Sequence, residues 1–154
     1  MLDDLRELYQ EVILDHGKNP RNYGKPDEVS HRAGGHNPLC GDRIFVYLHV
    51  DAEGVVRNAA FDGRGCAISQ ASASLMTEIV SGKTLGQVDT LFRNFHEMCT
   101  SDGDVETDGS LADEMDRLQV LSGVRQYPIR VKCATLAWHT MNAALQGEAE
   151  ATTE

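Results

Sequence analysis

The hydrophobic periodicity of this chain changes twice along its length, and that change limits its fold more than any other feature. Residues 44–50 (IFVYLHV) and 55–61 are strand-like runs separated by a turn at 51–54, which predicts a β-hairpin. Before and after the hairpin, apolar residues recur at the spacing of amphipathic helices. A hairpin enclosed by helical segments is typical of an α+β domain.

We expect about five helices packed on a small antiparallel sheet of three strands. A short edge strand near residues 29–33 would supply the third strand, in a segment otherwise rich in Gly, Pro, Asn and His. The stripes of apolar residues at helical spacing begin near residues 2, 68, 85, 111 and 134. At 154 residues, the chain is long enough for one domain spanning 1–154, with a frayed tail from about residue 148.

The overall charge limits the function classes. The formal net charge is −10, and eight acidic residues with no basic residue fall between Glu97 and Asp116. We therefore expect an acidic insertion at about 97–120, which is either a solvated loop or a docking surface for a basic partner. No basic footprint for nucleic acid is visible. No apolar run is long enough to span a membrane, and the acidic start lacks a secretion signal, so we expect a cytoplasmic protein.

Four cysteines, at positions 40, 66, 99 and 133, are the candidates for chemistry. With no secretory context, reduced thiols are favoured over disulfides. Cys40 lies in a loop before the first long strand, Cys66 at a strand-to-helix junction, and Cys133 in what we expect to be the first turn of the last helix. A helix N-terminus favours the thiolate that binds metal. Each cysteine alone could instead be a small buried residue, and that is the interpretation we give Cys99.

Asp42 follows Cys40 by two residues, with Gly41 between them. A tight loop through glycine lets both side chains turn towards one ion. Three thiolates and one carboxylate make a tetrahedral set suited to zinc. Its net charge would be −2, so nearby cations are expected, and Arg130 and Lys132 flank the third thiol.

Four segments carry a family resemblance: 15–22 (DHGKNPRN), 37–42 (NPLCGD), 65–74 (GCAISQASAS) and 130–138 (RVKCATLAW). In this order they resemble the SufU and IscU group of iron–sulfur assembly proteins, over about residues 5–147. The scaffold branch of that group carries a histidine directly before its third cysteine, where this chain has Lys132, and it has a shorter gap than the 67 positions from Cys66 to Cys133. In both features this chain resembles the SufU branch of the group.

The resemblance implies a zinc site formed by Cys40, Asp42, Cys66 and Cys133. It also implies a sulfurtransferase in which Cys40 accepts persulfide sulfur from a SufS-type cysteine desulfurase, after a histidine of that partner replaces Cys40 on zinc. Downstream SUF cluster-assembly proteins would be further partners. Two alternatives stay open: a scaffold that assembles an iron–sulfur cluster on the same thiolates, and a module whose zinc only holds the fold. His36, close to Cys40 in sequence, is a spare ligand.

Overall fold

A computed structural model describes residues 2–38, 41–101 and 109–152 of the chain, and the α+β class is confirmed. The described helices are α1 (Leu2–Lys18), α2 (Ala67–Val80), α3 (Leu85–Thr100), α4 (Ala112–Leu118) and α5 (Pro128–Leu145). The described strands are β1 (His31–Asn37), β2 (Asp42–Val50), β3 (Val56–Arg64) and β4 (Glu150–Thr152). Segments of 3-10 helix precede and follow α4, at Gly109–Leu111 and Gln119–Gln126.

The sheet has four strands in the order β3-β2-β1-β4, so the expected three-stranded sheet is wrong by one strand. β1 to β3 form an antiparallel meander, and β4 pairs parallel with β1 at Gly34 to His36. The added strand comes from the tail that was expected to be frayed from about residue 148. The sequence around β4 gives no pattern that predicts a strand, because β4 is three residues long and pairs with a strand more than a hundred residues earlier in the chain.

The acidic insertion expected at about 97–120 is described in part. Its beginning is the end of α3, and α4 lies in its second half, whereas residues 102–108 lie outside the described residues. Within the described part of the chain, no helix has both the length and the apolar character needed to cross a membrane.

One face of the sheet forms the hydrophobic core with α2 and α5. Alternate residues of β2 (Ile44, Val46 and Leu48) are fully buried on this face. The Trp138 ring of α5 stacks on Phe95 of α3, with ring centroids 4.8 Å apart. This packing fixes the last helix between the sheet and α3.

A buried hydroxyl ties α2 to α5 directly. Ser72 of α2 donates to the backbone carbonyl of Ala134 and accepts a hydrogen bond from Trp138 Nε1 at 3.2 Å. Buried polar groups that are fully paired in this way fix the position of one element against another. The contact matters for function because Cys66 lies beside the first residue of α2 and Cys133 lies on α5.

Candidate metal centre

Three of the four predicted ligands lie together in the structure. The ligand atoms of Asp42, Cys66 and Cys133 all lie within 4.8 Å of one another. They come from the first residue of β2, the residue before α2, and the sixth residue of α5. The fourth predicted ligand, Cys40, lies outside the described residues, so the four-ligand set remains a prediction.

Asp42 is held by groups from two other elements. Its side chain is fully buried, and Oδ1 accepts a hydrogen bond from the backbone N–H of Cys66 at 2.9 Å. Asn37, its register partner at the end of β1, donates from Nδ2 to Oδ2 at 3.4 Å. Gly41, just before Asp42, has a φ of +70°, which glycine adopts without strain. The carboxylate is therefore positioned by the strand pair and by the start of α2.

Cys66 occupies the N-cap position of α2, with an extended backbone (φ −70°, ψ 169°). Ser69, one turn later, donates to the Cys66 carbonyl at 3.1 Å, and its Oγ lies 3.9 Å from the Cys66 sulfur. The pKa of the Cys66 thiol is lowered to about 6, chiefly because the Cys133 thiol donates a hydrogen bond to it. The lowered pKa favours the thiolate of Cys66, which is the form that binds a metal.

Cys133 lies in the second turn of α5, and its expected place in the first turn is wrong. The helix begins at Pro128, which has the φ that a first helical position requires, after Tyr127 in an extended conformation. The argument from free N–H groups at a helix start therefore applies to Cys66 alone. Cys133 is fully buried, and its sulfur lies 3.7 Å from the side-chain nitrogen of Asn37.

Sequence reasoning missed Asn37 and Gly65 as parts of this centre. The Asn37 amide bridges Asp42 and Cys133. Its signal in the sequence is its place in the same NPLCGD segment, five residues before Asp42. Gly65 leaves the room that the site needs: a Cβ there would lie 2.3 Å from Ser69 Oγ and 2.6 Å from Asp42 Oδ1. The sequence shows that glycine but not the crowding around it.

The remaining candidates lie away from the cluster. Cys99 is fully buried in the hydrophobic core, and burial raises the pKa of its thiol to about 12, so its interpretation as a core residue agrees with the structure. His36, the spare ligand, is exposed and adjacent along β1 to the buried Asn37. Successive strand residues point to opposite faces, so His36 faces away from the centre.

The donor set fits zinc. Two thiols and a carboxylate within 4.8 Å of one another can close onto one ion, because ligands of a tetrahedral zinc lie roughly 3.4–3.8 Å apart. Thiolate donors favour zinc or iron over magnesium or calcium. Three donors leave one coordination position for a fourth ligand.

Comparison with known proteins points the same way. The model of the NifU-like N terminal domain matches residues 8–134. The chain is 38% identical over 145 residues to the zinc-dependent sulfurtransferase SufU of Bacillus subtilis, covering 94% of each chain. It is 40% identical over 139 residues to the iron–sulfur cluster assembly scaffold protein IscU of Thermotoga maritima, covering 90% of this chain and 93% of that one.

A solved structure shares the fold. The N-terminal part of a nitrogen-fixing NifU-like protein from Brucella abortus superposes with a TM-score of 0.76 at 28% identity, covering 95% of both chains. Since a sulfurtransferase and a scaffold protein match this chain about equally well, overall identity does not separate the two activities.

Proposed function

The chain belongs to the NifU-like N terminal domain family, and on that premise we propose that it is a zinc-dependent sulfur acceptor for iron–sulfur cluster assembly. The observation that carries the proposal is the convergence of Asp42, Cys66 and Cys133 from three separate elements. Its proposed partner is a SufS-type cysteine desulfurase, its proposed recipients are downstream SUF proteins, and its proposed compartment is the cytoplasm.

The proposed zinc ligands are Cys40, Asp42, Cys66 and Cys133. Zinc at this position would keep its thiolates deprotonated and restrain their nucleophilicity. Asp42 is oriented for this role by the Cys66 N–H and by Asn37. Hydrogen bonds of this kind to ligands typically account for a tenfold to hundredfold difference in metal affinity.

The proposed sulfur acceptor is Cys40. Its thiolate would attack the outer sulfur of the persulfide on the desulfurase, forming a new sulfur–sulfur bond on Cys40. The bond within the donor persulfide breaks, and its electron pair leaves on the desulfurase cysteine as a thiolate. We assign the role to Cys40 because, in chain order, it lies in the connection between β1 and β2 and outside both strands, whereas Cys66 and Cys133 are anchored by α2 and α5.

The relationship to IscU makes a cluster scaffold the second candidate. A scaffold would hold an iron–sulfur cluster on the same thiolates and pass it to an apo-protein. Lys132 counts against this function, because it stands where the scaffold branch carries a histidine and a lysine is a poor ligand for this purpose. A coloured, oxygen-sensitive protein after reconstitution with iron and sulfide would favour the scaffold.

The test combines metal analysis of the freshly purified protein with a desulfurase assay, run with and without the chain. We expect one zinc per chain and an increase in desulfurase turnover. Cys40→Ser should abolish the increase and the persulfide on this chain, whereas Cys99→Ala, outside the cluster, should keep both. Stimulation that survives in Cys40→Ser would exclude Cys40 as the acceptor, and a chain without zinc would exclude the proposed site.

A further inference from the structure

The outward face of the sheet carries three basic side chains in a row at its end nearest the proposed metal centre. Strand register places His36 on β1 opposite Arg43 on β2, and Arg43 opposite Arg64 on β3. All three are exposed. Because residues alternate along a strand, Arg43 faces away from the buried Asp42 next to it. We call His36, Arg43 and Arg64 the basic row.

The charges of Arg43 and Arg64 are not neutralised within the described part of the protein. Neither Arg43 nor Arg64 forms an ion pair with a described carboxylate; the Arg43 guanidinium lies 5.5 Å from the centre of the Phe45 ring instead. Asp62, in the next row of the same face, accepts a hydrogen bond from the Tyr47 hydroxyl at 3.0 Å. Like charges directly opposite one another destabilise a sheet, so strand pairing does not account for two arginines at opposed positions.

The overall composition does not explain the basic row either. The chain has 14 basic and 24 acidic residues, so an average surface region would be negative. Several basic residues elsewhere are paired with carboxylates: Arg57 with Asp51 at the hairpin turn, Arg93 with Asp89 on α3, and Arg117 with Glu78. Arg32, at the other end of the outward face, forms no ion pair with a described carboxylate either, so Arg43 and Arg64 are distinguished by lying opposite each other next to the metal centre.

That end of the sheet is where a sulfur donor has to approach. The basic row is the last outward row before residues 38–41, the connection that includes Cys40 in the sequence. Arg43 follows Cys40 by three residues, and Arg64 precedes Cys66 by two. A protein that approaches the outward face beside Asp42 and Cys66 therefore meets Arg43 and Arg64.

We propose that the basic row is the docking surface for an acidic surface patch on the sulfur donor. The inference rests on the proposed function, since it names how the donor recognises the site. Charge balance of the metal centre does not explain the row, because these side chains face away from Asp42. The net negative charge of the rest of the chain would repel an acidic partner everywhere else, so the row would orient it towards Cys40 as well as attract it.

The experiment compares two variants with the same change in net charge. Arg43→Gln/Arg64→Gln removes the arginines of the basic row, and Arg57→Gln/Arg93→Gln removes two exposed arginines remote from the centre. Desulfurase turnover is measured against the concentration of the zinc-bound chain, at about 50 mM and about 500 mM salt. Zinc content and thermal unfolding are measured for each variant.

At low salt the row variant should show an apparent KM for the chain raised roughly threefold to tenfold, with the same maximal turnover, because exposed charge contacts govern association. At high salt, screening should reduce that difference to less than about twofold. The remote variant should match the unmodified chain. Equal KM values for both variants, or a difference that salt does not change, would refute the docking surface while leaving the proposed function standing. No stimulation by the unmodified chain would refute both.

Discussion

Gly65→Ala adds one methyl group at the most crowded position of the candidate centre. Its Cβ would lie 2.6 Å from Asp42 Oδ1 and 2.3 Å from Ser69 Oγ, whereas ordinary contact begins near 3.4 Å. Ser69 can rotate its hydroxyl away at the expense of its bond to the Cys66 carbonyl. The Asp42 carboxylate has less freedom, because it is fully buried and held by the N–H of Cys66.

The carboxylate oxygen must therefore move by about 0.8 Å to restore contact distance. That displacement breaks or lengthens the 2.9 Å bond from Cys66 N–H to Asp42 Oδ1. Overpacking a buried site costs about 1–3 kcal/mol, and a weakened hydrogen bond to a charged group costs about 1.5–3 kcal/mol. Since the two losses share one displacement, we expect the free energy of unfolding to fall by about 2–4 kcal/mol and zinc affinity to fall tenfold to a hundredfold.

The measurements are chelator competition for the zinc dissociation constant and denaturant unfolding of the metal-free protein. Gly123→Ala is the matched control, because a Cβ at Gly123 has no heavy atom within 4 Å and needs no unusual backbone angle. That control should keep zinc affinity and gain a few tenths of a kcal/mol from the stiffer unfolded chain. A Gly65→Ala protein whose zinc affinity stays within twofold of the unmodified chain would refute the role given to Asp42 and its fixed position.

Two further predictions concern protonation. In the metal-free protein, the alkylation rate of Cys66 should rise with pH with a midpoint near pH 6, whereas Cys99, which is fully buried and has a pKa of about 12, should stay unmodified. Peptide mapping by mass spectrometry measures both cysteines, and equal labelling of the two would contradict the prediction. The Nδ1 of His16 lies 2.7 Å from Ser74 Oγ, and burial lowers the pKa of this histidine. As the pH falls below about 6.5, His16 is therefore protonated in the unfolded chain before it is protonated in the folded protein, and the free energy of unfolding decreases in that range. His16→Gln should therefore lose less unfolding free energy between about pH 7 and pH 5 than the unmodified chain, and parallel curves would count against a buried neutral histidine.

The α+β class was predictable from the sequence because local periodicity reports it. The hairpin and the helical stripes show which residues face a core, and the structure confirms five helices and an antiparallel meander. β4 was not predictable, since a three-residue strand that pairs with β1 through a long connection leaves no pattern. The start of α5 is a different case: the apolar stripe begins near residue 134, whereas the helix itself begins at Pro128, so Cys133 falls in its second turn.

The chemistry of the centre was predictable in part. Cysteine is a rare residue, so thiols at a turn and at a helix start stand out, and the family resemblance names the carboxylate beside them. The supporting contacts are different. The Asn37 bridge between Asp42 and Cys133 joins residues 96 positions apart in chain number, and only the packing of α5 on the sheet brings the amide and the sulfur together.

The same packing argument separates the roles of the proposed ligands. Cys133 is carried by a helix that the Trp138 stack and the Ser72 hydrogen bonds fix in place, and Cys66 is tied to Asp42 by a backbone N–H. Moving either sulfur would disturb contacts that hold α2, α5 and the sheet together, which is unfavourable during a reversible sulfur transfer. Cys40 lies in chain order between Asn37 and Asp42, the register pair that ends β1 and begins β2, and so belongs to neither strand. Sulfur transfer at Cys66 or Cys133 would disturb these packing contacts, and for that reason we assign the acceptor role to Cys40.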